Sequence, residues 1–290
     1  MSIARSDRLH SFGTAKFRQH LRVVLFYLLL SLGAIVFMAP FLFMVISSLK
    51  PIHQIATTPI KWWPNPIMWS NYVGAVTVQP LGRFFLNSAF ITCFNVLGAV
   101  FSCTLAGWGF AQRSFPGRNF LFMLVLSVMM IPSQVTMIPL YMMYSRLGWI
   151  DTYLPLIVPS FFGQAFFVFL ARQFFLSLPD ELSEAAIVDG CSPLGVFYHI
   201  ALPLVKPLVV TIAIFVFQFT WNDFFGPLIY LTTKSKFTVA LGLTAYTEEG
   251  FTRWDYLMAA STLAILPVAL VFFSFQQYFV QGIATTGMKE

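Results

Sequence analysis

Charge is what this sequence has least of. Of its 290 residues only 10% are Asp, Glu, Lys or Arg, against 58% hydrophobic, and the mean hydropathy is +0.77. A soluble domain carries about a quarter charged residues, so the composition is that of an integral membrane protein. Cysteine is scarce too. Cys93 and Cys103 lie in an apolar run and Cys191 in a polar stretch, which offers neither a disulfide framework nor a zinc site. His10, His20, His53 and His199 show no ligand spacing. No Gly-x-x-x-x-Gly-Lys-Ser/Thr is present to wrap backbone N–H groups around phosphates, so this chain cannot hydrolyse ATP by that route. His-Glu-x-x-His, Gly-x-Ser-x-Gly and an intramembrane carboxylate pair are missing as well, and with them the zincin, esterase and aspartyl-dyad chemistries. The alternating segments of a membrane barrel do not occur. A net charge of +6 does not indicate nucleic acid, because Arg5, Arg8, Lys16, Arg18 and Arg22 all lie just before the first apolar run, where positive charge fixes orientation.

What is present is a series of apolar runs: Val23 to Ile46, Phe84 to Phe110, Phe120 to Leu140, Tyr153 to Phe175, Leu208 to Leu231, and Tyr256 to Val280. Each is near the ~20 residues that a helix needs to cross a hydrocarbon core. The expected fold is all-α, a polytopic membrane protein with six transmembrane helices, and both termini then lie on one side. Placing them in the cytoplasm puts ten basic residues inside and seven (Lys50, Lys61, Arg83, Arg146, Lys234, Lys236, Arg253) outside; the cluster before the first span dominates that bias. The organisation read from this is a cytoplasmic tail over 1–22, a first span and extracytoplasmic loop over 23–83, a five-span core over 84–282 and a cytoplasmic tail over 283–290. The prolines and tryptophans of Ser47 to Arg83 suit an interfacial loop.

Polar residues inside the runs are expensive in lipid and should face the bundle or a wet cavity. Thr211, Phe215, Gln218 and Asn222 recur on one helical face, and Asp223 follows. Ser88, Asn95 and Ser102 recur every seven residues, as do Ser127 and Gln134. Interhelical hydrogen bonding would account for such residues without any pathway role. Gln218, Asn222 and Asp223 are nevertheless expected to line a solute pathway, with Asn95 and Gln134 as further candidates. Amides donate to and accept from hydroxyls, and rings such as Trp221 cover the apolar face of a sugar. No Lys or Arg lies deep in a span, which disfavours capture of an anion there.

The longest polar passage of the C-terminal half runs from Ser177 to Pro207. Ser177 and Pro179 have the spacing of a helix start, Asp180, Glu181 and Glu184 favour its positive end, and Asp189-Gly190 tolerates the turn that stops it. Ser192-Pro193 opens a second short helix and Pro203 closes it. Within this passage Glu184-Ala185-Ala186, Asp189-Gly190, Ile200, Leu202, Pro203 and Pro207 resemble the EAA loop of the membrane subunits of ABC importers. Ile131-Pro-Ser-Gln-Val-Thr-Met-Ile-Pro-Leu-Tyr141, Leu147-Gly-Trp-Ile-Asp-Thr-Tyr153 and Trp221-Asn-Asp223 resemble the carbohydrate-uptake branch of these permeases, the maltose permease G type in particular. Asp223 stands where that branch often has Glu, and Cys191 where Ala is common.

The resemblance implies the type I importer permease (MetI-like) fold and an ATP-driven, binding-protein-dependent importer in a prokaryotic cell membrane. It implies a second homologous permease subunit, two cytoplasmic ATPase subunits that bind ATP and Mg, and an extracytoplasmic solute-binding protein, with no cofactor in this chain and no nucleic acid. It further implies that Glu184, Ala185, Ala186, Asp189, Gly190, Ile200, Leu202 and Pro203 couple to the ATPase. The solute would be a sugar or related polyhydroxylated compound. The competing class is a secondary transporter working without an ATPase, for which Asp223 is the only candidate intramembrane carboxylate.

Overall fold

The computed structural model describes residues 3–248 and 251–287, with side chains for 20–132, 134–247 and 252–276. The side chains of Arg5, Arg8, Lys16 and Arg18 and the end of the expected C-terminal tail lie outside the described residues. The longer helices are α1 (Ile3–Ser48), α2 (Ser70–Val78), α3 (Leu81–Gln112), α4 (Arg118–Val128), α5 (Ser133–Arg146), α6 (Ala165–Phe175), α7 (Asp180–Val188), α8 (Lys206–Trp221) and α9 (Trp254–Gly287). Apart from a ladder in which Thr247–Glu248 pairs antiparallel with Phe251–Thr252, the described fold is all-α.

α3 is the central element, packed along α6 and α8. Its small residues allow close approach: a Cβ on Gly107 would sit 2.4 Å from the Ala171 Cβ. Ala99, Cys103, Trp108, Ala171, Phe175, Leu208 and Ile212 form one buried cluster around this contact. A second, at the N-terminal end of α3, joins Phe84, Trp221, Val239, Tyr246 and Ala259. By contrast, α1 turns its apolar side chains outwards, with Phe37 86% exposed, as a helix facing lipid or another membrane subunit does. It ends before Pro51, and Asn71 donates at 2.9 Å to the carbonyl of Ser48, an acceptor that the helix end leaves open, and at 2.9 Å to that of Lys50 in the turn beyond it. Trp62, Trp63 and Trp69 of the following loop are exposed, as interfacial tryptophans are. Lys50, counted among the outer basic residues, is buried over the Phe43 ring at 5.2 Å, and burial pushes its ammonium pKa down.

Two of the six apolar runs differ from expectation. Among the described residues four helices are singly long and apolar enough to cross a membrane: His20–Ser48, Leu81–Gln112, Leu154–Phe175 and Trp254–Gln276. A fifth arises if Pro193–Leu204 and Lys206–Trp221, bent by 80°, count as one. The third run, Phe120 to Leu140, is two helices, α4 and α5, because Pro132 supplies no N–H and pushes Ile131 out of the helical region. The 11 residues of α4 rise only about 16 Å. The fifth run stops at Trp221 rather than Leu231. There the Asp223 carboxylate accepts from Gly226 N at 3.1 Å, and short polar side chains that offer such local bonds compete with a continuing helix.

Candidate functional site

At the C-terminal end of α8 lies a cleft of about 600 Å³ lined by Ile91, Asn95, Leu156, Gln164, Phe219, Thr220, Asp223, Pro227 and Thr238. Three segments build it: α3 brings Ile91 and Asn95, the short α-helical and 3₁₀ turns of Leu154–Phe162 bring Leu156 and lead to Gln164, and the short helix Phe225–Tyr230 beyond the break after α8, with Asp223 just before it, brings Pro227. Gly226 lets the carboxylate in, since a Cβ there would lie 2.4 Å from Asp223 Oδ2. Asn95 is 93% buried and donates to the Thr220 hydroxyl at 3.3 Å, while its Oδ1 has no partner.

The pathway residues expected from the sequence divide. Asn95 and Asp223 meet in this cleft. Gln218 and Asn222 do not line it; Asn222 Nδ2 donates to Gln218 O at 2.9 Å and to Gln218 Oε1 at 3.3 Å. Gln134 is exposed on α5, on a different helix from Ser127 and outside the cleft. Ser88 and Ser102 tie elements together: Ser88 Oγ accepts from Val239 N at 2.8 Å, and Ser102 Oγ donates to Ser160 O at 2.9 Å. Gln164, Thr220 and Thr238 join the site without a sequence signal of their own. Gln164 and Thr238 sit on irregular segments where no period marks a face.

The Ser177–Pro207 passage folds as two short helical pieces, α7 and Pro193–Leu204. Ser177 does not cap α7. Its hydroxyl donates to Phe174 O at 2.7 Å, and Pro179 occupies the N-cap position. Ser192 does cap the second piece, accepting from Gly195 N at 3.2 Å. Gly190, at φ +84°, ends α7 with two closing bonds, Gly190 N to Ile187 O at 3.0 Å and Cys191 N to Ala186 O at 2.9 Å, the pair that defines a Schellman stop. Pro203 does not close the second piece but sits in its last turn, after a π-helical stretch at Phe197–Ala201 that includes Ile200 and leads into Leu202. Such a bulge is a way to accommodate a missing donor. The chain then bends at Val205 into α8.

Ala186 is buried, whereas Glu184, Ala185 and Asp189 are exposed, and Ile187 and Val188 expose apolar surface beside them at 48% and 86%. Ser183 Oγ donates to Gln112 Oε1 at 3.3 Å, fastening α7 to the end of α3. A second cleft of about 300 Å³ opens here, lined by Arg113, Arg118, Asp180 and Glu184 among others. Glu184 makes no ion pair with the described residues.

The family described as "binding-protein-dependent transport system inner membrane component" matches residues 98–285. The arabinooligosaccharides transport system permease protein AraQ of Bacillus subtilis is 34% identical over 92% of this chain and 95% of its own length. The sn-glycerol-3-phosphate transport system permease protein UgpE of Brucella abortus is 30% identical over 90% and 95%. One chain in the crystal structure of a bacterial ABC transporter that imports the acidic polysaccharide alginate superposes with a TM-score of 0.78 at 22% identity, covering 95% of this chain and 98% of that one. The same chain thus carries a polar cleft at one end of α8, a bent two-piece element at the other, and sequence kinship along nearly its whole length. It belongs to the family of inner-membrane permease components of binding-protein-dependent ABC importers.

Proposed function

We propose that this chain is one of two homologous permease subunits, paired as a heterodimer, through which a sugar or related polyhydroxylated solute enters the cell. Two cytoplasmic ATPase subunits, which bind ATP and Mg, supply the energy, and an extracytoplasmic binding protein delivers the solute. Both termini and α7 face the cytoplasm, and α7 docks on the ATPase through Glu184 and the exposed Ile187 and Val188. One observation carries the reading: α8 is bent by 80° against the Pro193–Leu204 piece at one end and contributes Phe219 and Thr220 to the cleft at the other. A force applied to the docking element therefore has a single helix through which to reshape the cleft. The relatives named for arabinooligosaccharides and sn-glycerol 3-phosphate support the solute class.

The test is coexpression with the candidate second permease and ATPase, purification of the complex and reconstitution in liposomes with binding protein. ATP-dependent solute uptake is expected. Uptake by this chain alone, driven by an ion gradient without ATP, would overturn the proposal in favour of a secondary transporter.

A further inference from the structure

We infer that the turn between α3 and α4 holds a membrane lipid, an anionic phosphodiester whose headgroup ends in hydroxyls, of the phosphatidylglycerol kind. The inference needs only that the chain spans a membrane and is independent of the solute and of ATPase docking. α3 ends at Gln112, which donates to Phe175 O at 3.2 Å at the end of α6, and α4 starts at Arg118. Three apolar helices thus stop or start together, which marks the level of the membrane surface. Arg118 N donates to Phe115 O at 3.2 Å across Pro116 and Gly117, and Gly117, at φ 78° and ψ 4°, has the conformation of the third residue of a type II turn. Proline before that glycine makes the turn stiff.

A cleft of about 300 Å³ lies on this turn, lined by Ser114, Phe115, Gly117, Arg118, Asn119 and Phe120. Arg118 is the one ionisable residue of the lining. Its guanidinium is steered by a bond from Nη1 to Arg113 O at 3.2 Å, and neither ion pair of the described residues includes it. The rest of the planar fork, which matches phosphate oxygens two at a time, is left for an anion. Asp180 and Glu184 line the neighbouring cleft on the α7 side and not this one. With no carboxylate in the lining, the ammonium of a choline or ethanolamine headgroup finds no counter-charge, whereas glycerol hydroxyls meet the exposed side chains of Ser114 and Asn119. Beyond the cleft α4 turns apolar surface outwards: Phe120, Leu121, Met123 and Leu124 are each at least 45% exposed. Acyl chains hanging from a phosphate on Arg118 would cover that surface, which a carboxylate from another protein would leave bare.

The experiment takes the full chain with the subunits that copurify, strips its lipid in detergent, returns phosphatidylglycerol, phosphatidylcholine or phosphatidylethanolamine, and counts bound lipid by native mass spectrometry. One phosphatidylglycerol per chain should be held about five-fold more tightly than phosphatidylcholine, and water-soluble sn-glycerol 3-phosphate should not displace it. Arg118→Gln should remove that preference and Arg118→Lys should keep part of it. Arg113→Gln keeps the carbonyl that steers Arg118 and should leave the preference intact. Asn119→Asp puts a carboxylate into the lining and should admit phosphatidylethanolamine, a gain that misfolding cannot mimic. Equal retention of phosphatidylglycerol and phosphatidylcholine, displacement by glycerol phosphate, or an undiminished preference in Arg118→Gln would overturn the inference.

Discussion

Asp151 and Lys236 stand 85 positions apart in the chain, yet their charged atoms lie 2.7 Å apart. Around this pair the Asp151 carboxylate also accepts from Thr232 N, Thr233 N and the Thr233 hydroxyl, and Asp151 N donates to Tyr230 O. Asp151 holds a φ of 57°, a conformation that Asp tolerates better than most residues because its side chain bonds locally. The result is a latch between the loop before Leu154 and the loop after Tyr230, which adjoin the short helices Leu154–Ile157 and Phe225–Tyr230 that carry Leu156 and Pro227 into the cleft.

The latch predicts a pH dependence. Its hydrogen bonds, that from Lys236 foremost, hold the Asp151 carboxyl well below the usual carboxylate range. A carboxyl with a depressed folded pKa contributes stability that is present above its unfolded pKa and is lost as pH falls towards the folded value. Asp151→Asn should therefore lower the Tm of the purified complex by an amount constant from about pH 8 to about pH 5 and shrinking below about pH 4. A difference that grew on acidification would remove the charge from the explanation.

Glu184 predicts a coupling defect without a folding defect. It is exposed and unpaired among the described residues, so Glu184→Lys removes nothing that the chain itself uses. The variant should span and pack as the parent does, giving an unchanged Tm for the isolated subunit, while uptake in liposomes falls at least about ten-fold through a weakened ATPase contact. Equal uptake and equal ATPase turnover in parent and variant would dismiss the coupling role.

The stop at Gly190 predicts the opposite pattern. Gly190 has open space around its Cα, so a side chain there meets no atom, but its φ of +84° strains any L side chain. Gly190→Ala should cost about 1–2 kcal/mol through backbone strain alone, and Gly190→Asn, which tolerates the left-handed region, should recover much of it. Circular dichroism melting of the three proteins separates this from a steric effect, which would order the variants by side-chain size.

The apolar runs and the turn chemistry of Gly190 and Ser192 were readable from sequence because they depend on neighbours in the chain. The break between α4 and α5 had its cause in view, Pro132, but a continuous apolar run outweighs one proline in any composition-based reading. Gln218 and Asn222 share a helical face, and the same four-residue spacing lets them bond each other. The seven-residue spacing put Ser88, Asn95 and Ser102 on one face of α3, yet only packing decides which of them meets a partner. The partners of Asn95 and Ser102 lie 125 and 58 positions away, beyond what a local pattern encodes. Thr238 and Gln164 enter the cleft from irregular segments, where nothing periodic points to a cavity.

Two glycines of α3 separate close packing from helix propensity. Gly107 and Gly109 are one turn or less from each other, but a Cβ at 107 would approach the Ala171 Cβ to 2.4 Å and the Arg172 backbone nitrogen to 2.9 Å, while one at 109 would meet nothing within 4 Å. Backbone cannot swing aside as a side-chain end can, so Gly107→Ala must push α3 and α6 apart through the buried cluster around Ala171 and Phe175. Overpacking of this kind costs about 1–3 kcal/mol, and separating these helices also loosens the α3 wall that presents Asn95. Gly109→Ala, in contrast, trades a flexible residue for the best helix former and should be neutral or stabilising by about 0.4–1 kcal/mol. Thermal stability of the two variants in one detergent, with uptake measured in parallel, checks both: Gly107→Ala should lose Tm and uptake together, and Gly109→Ala should lose neither. Equal losses in both would mean that glycine is needed in α3 for flexibility rather than for the approach of α6.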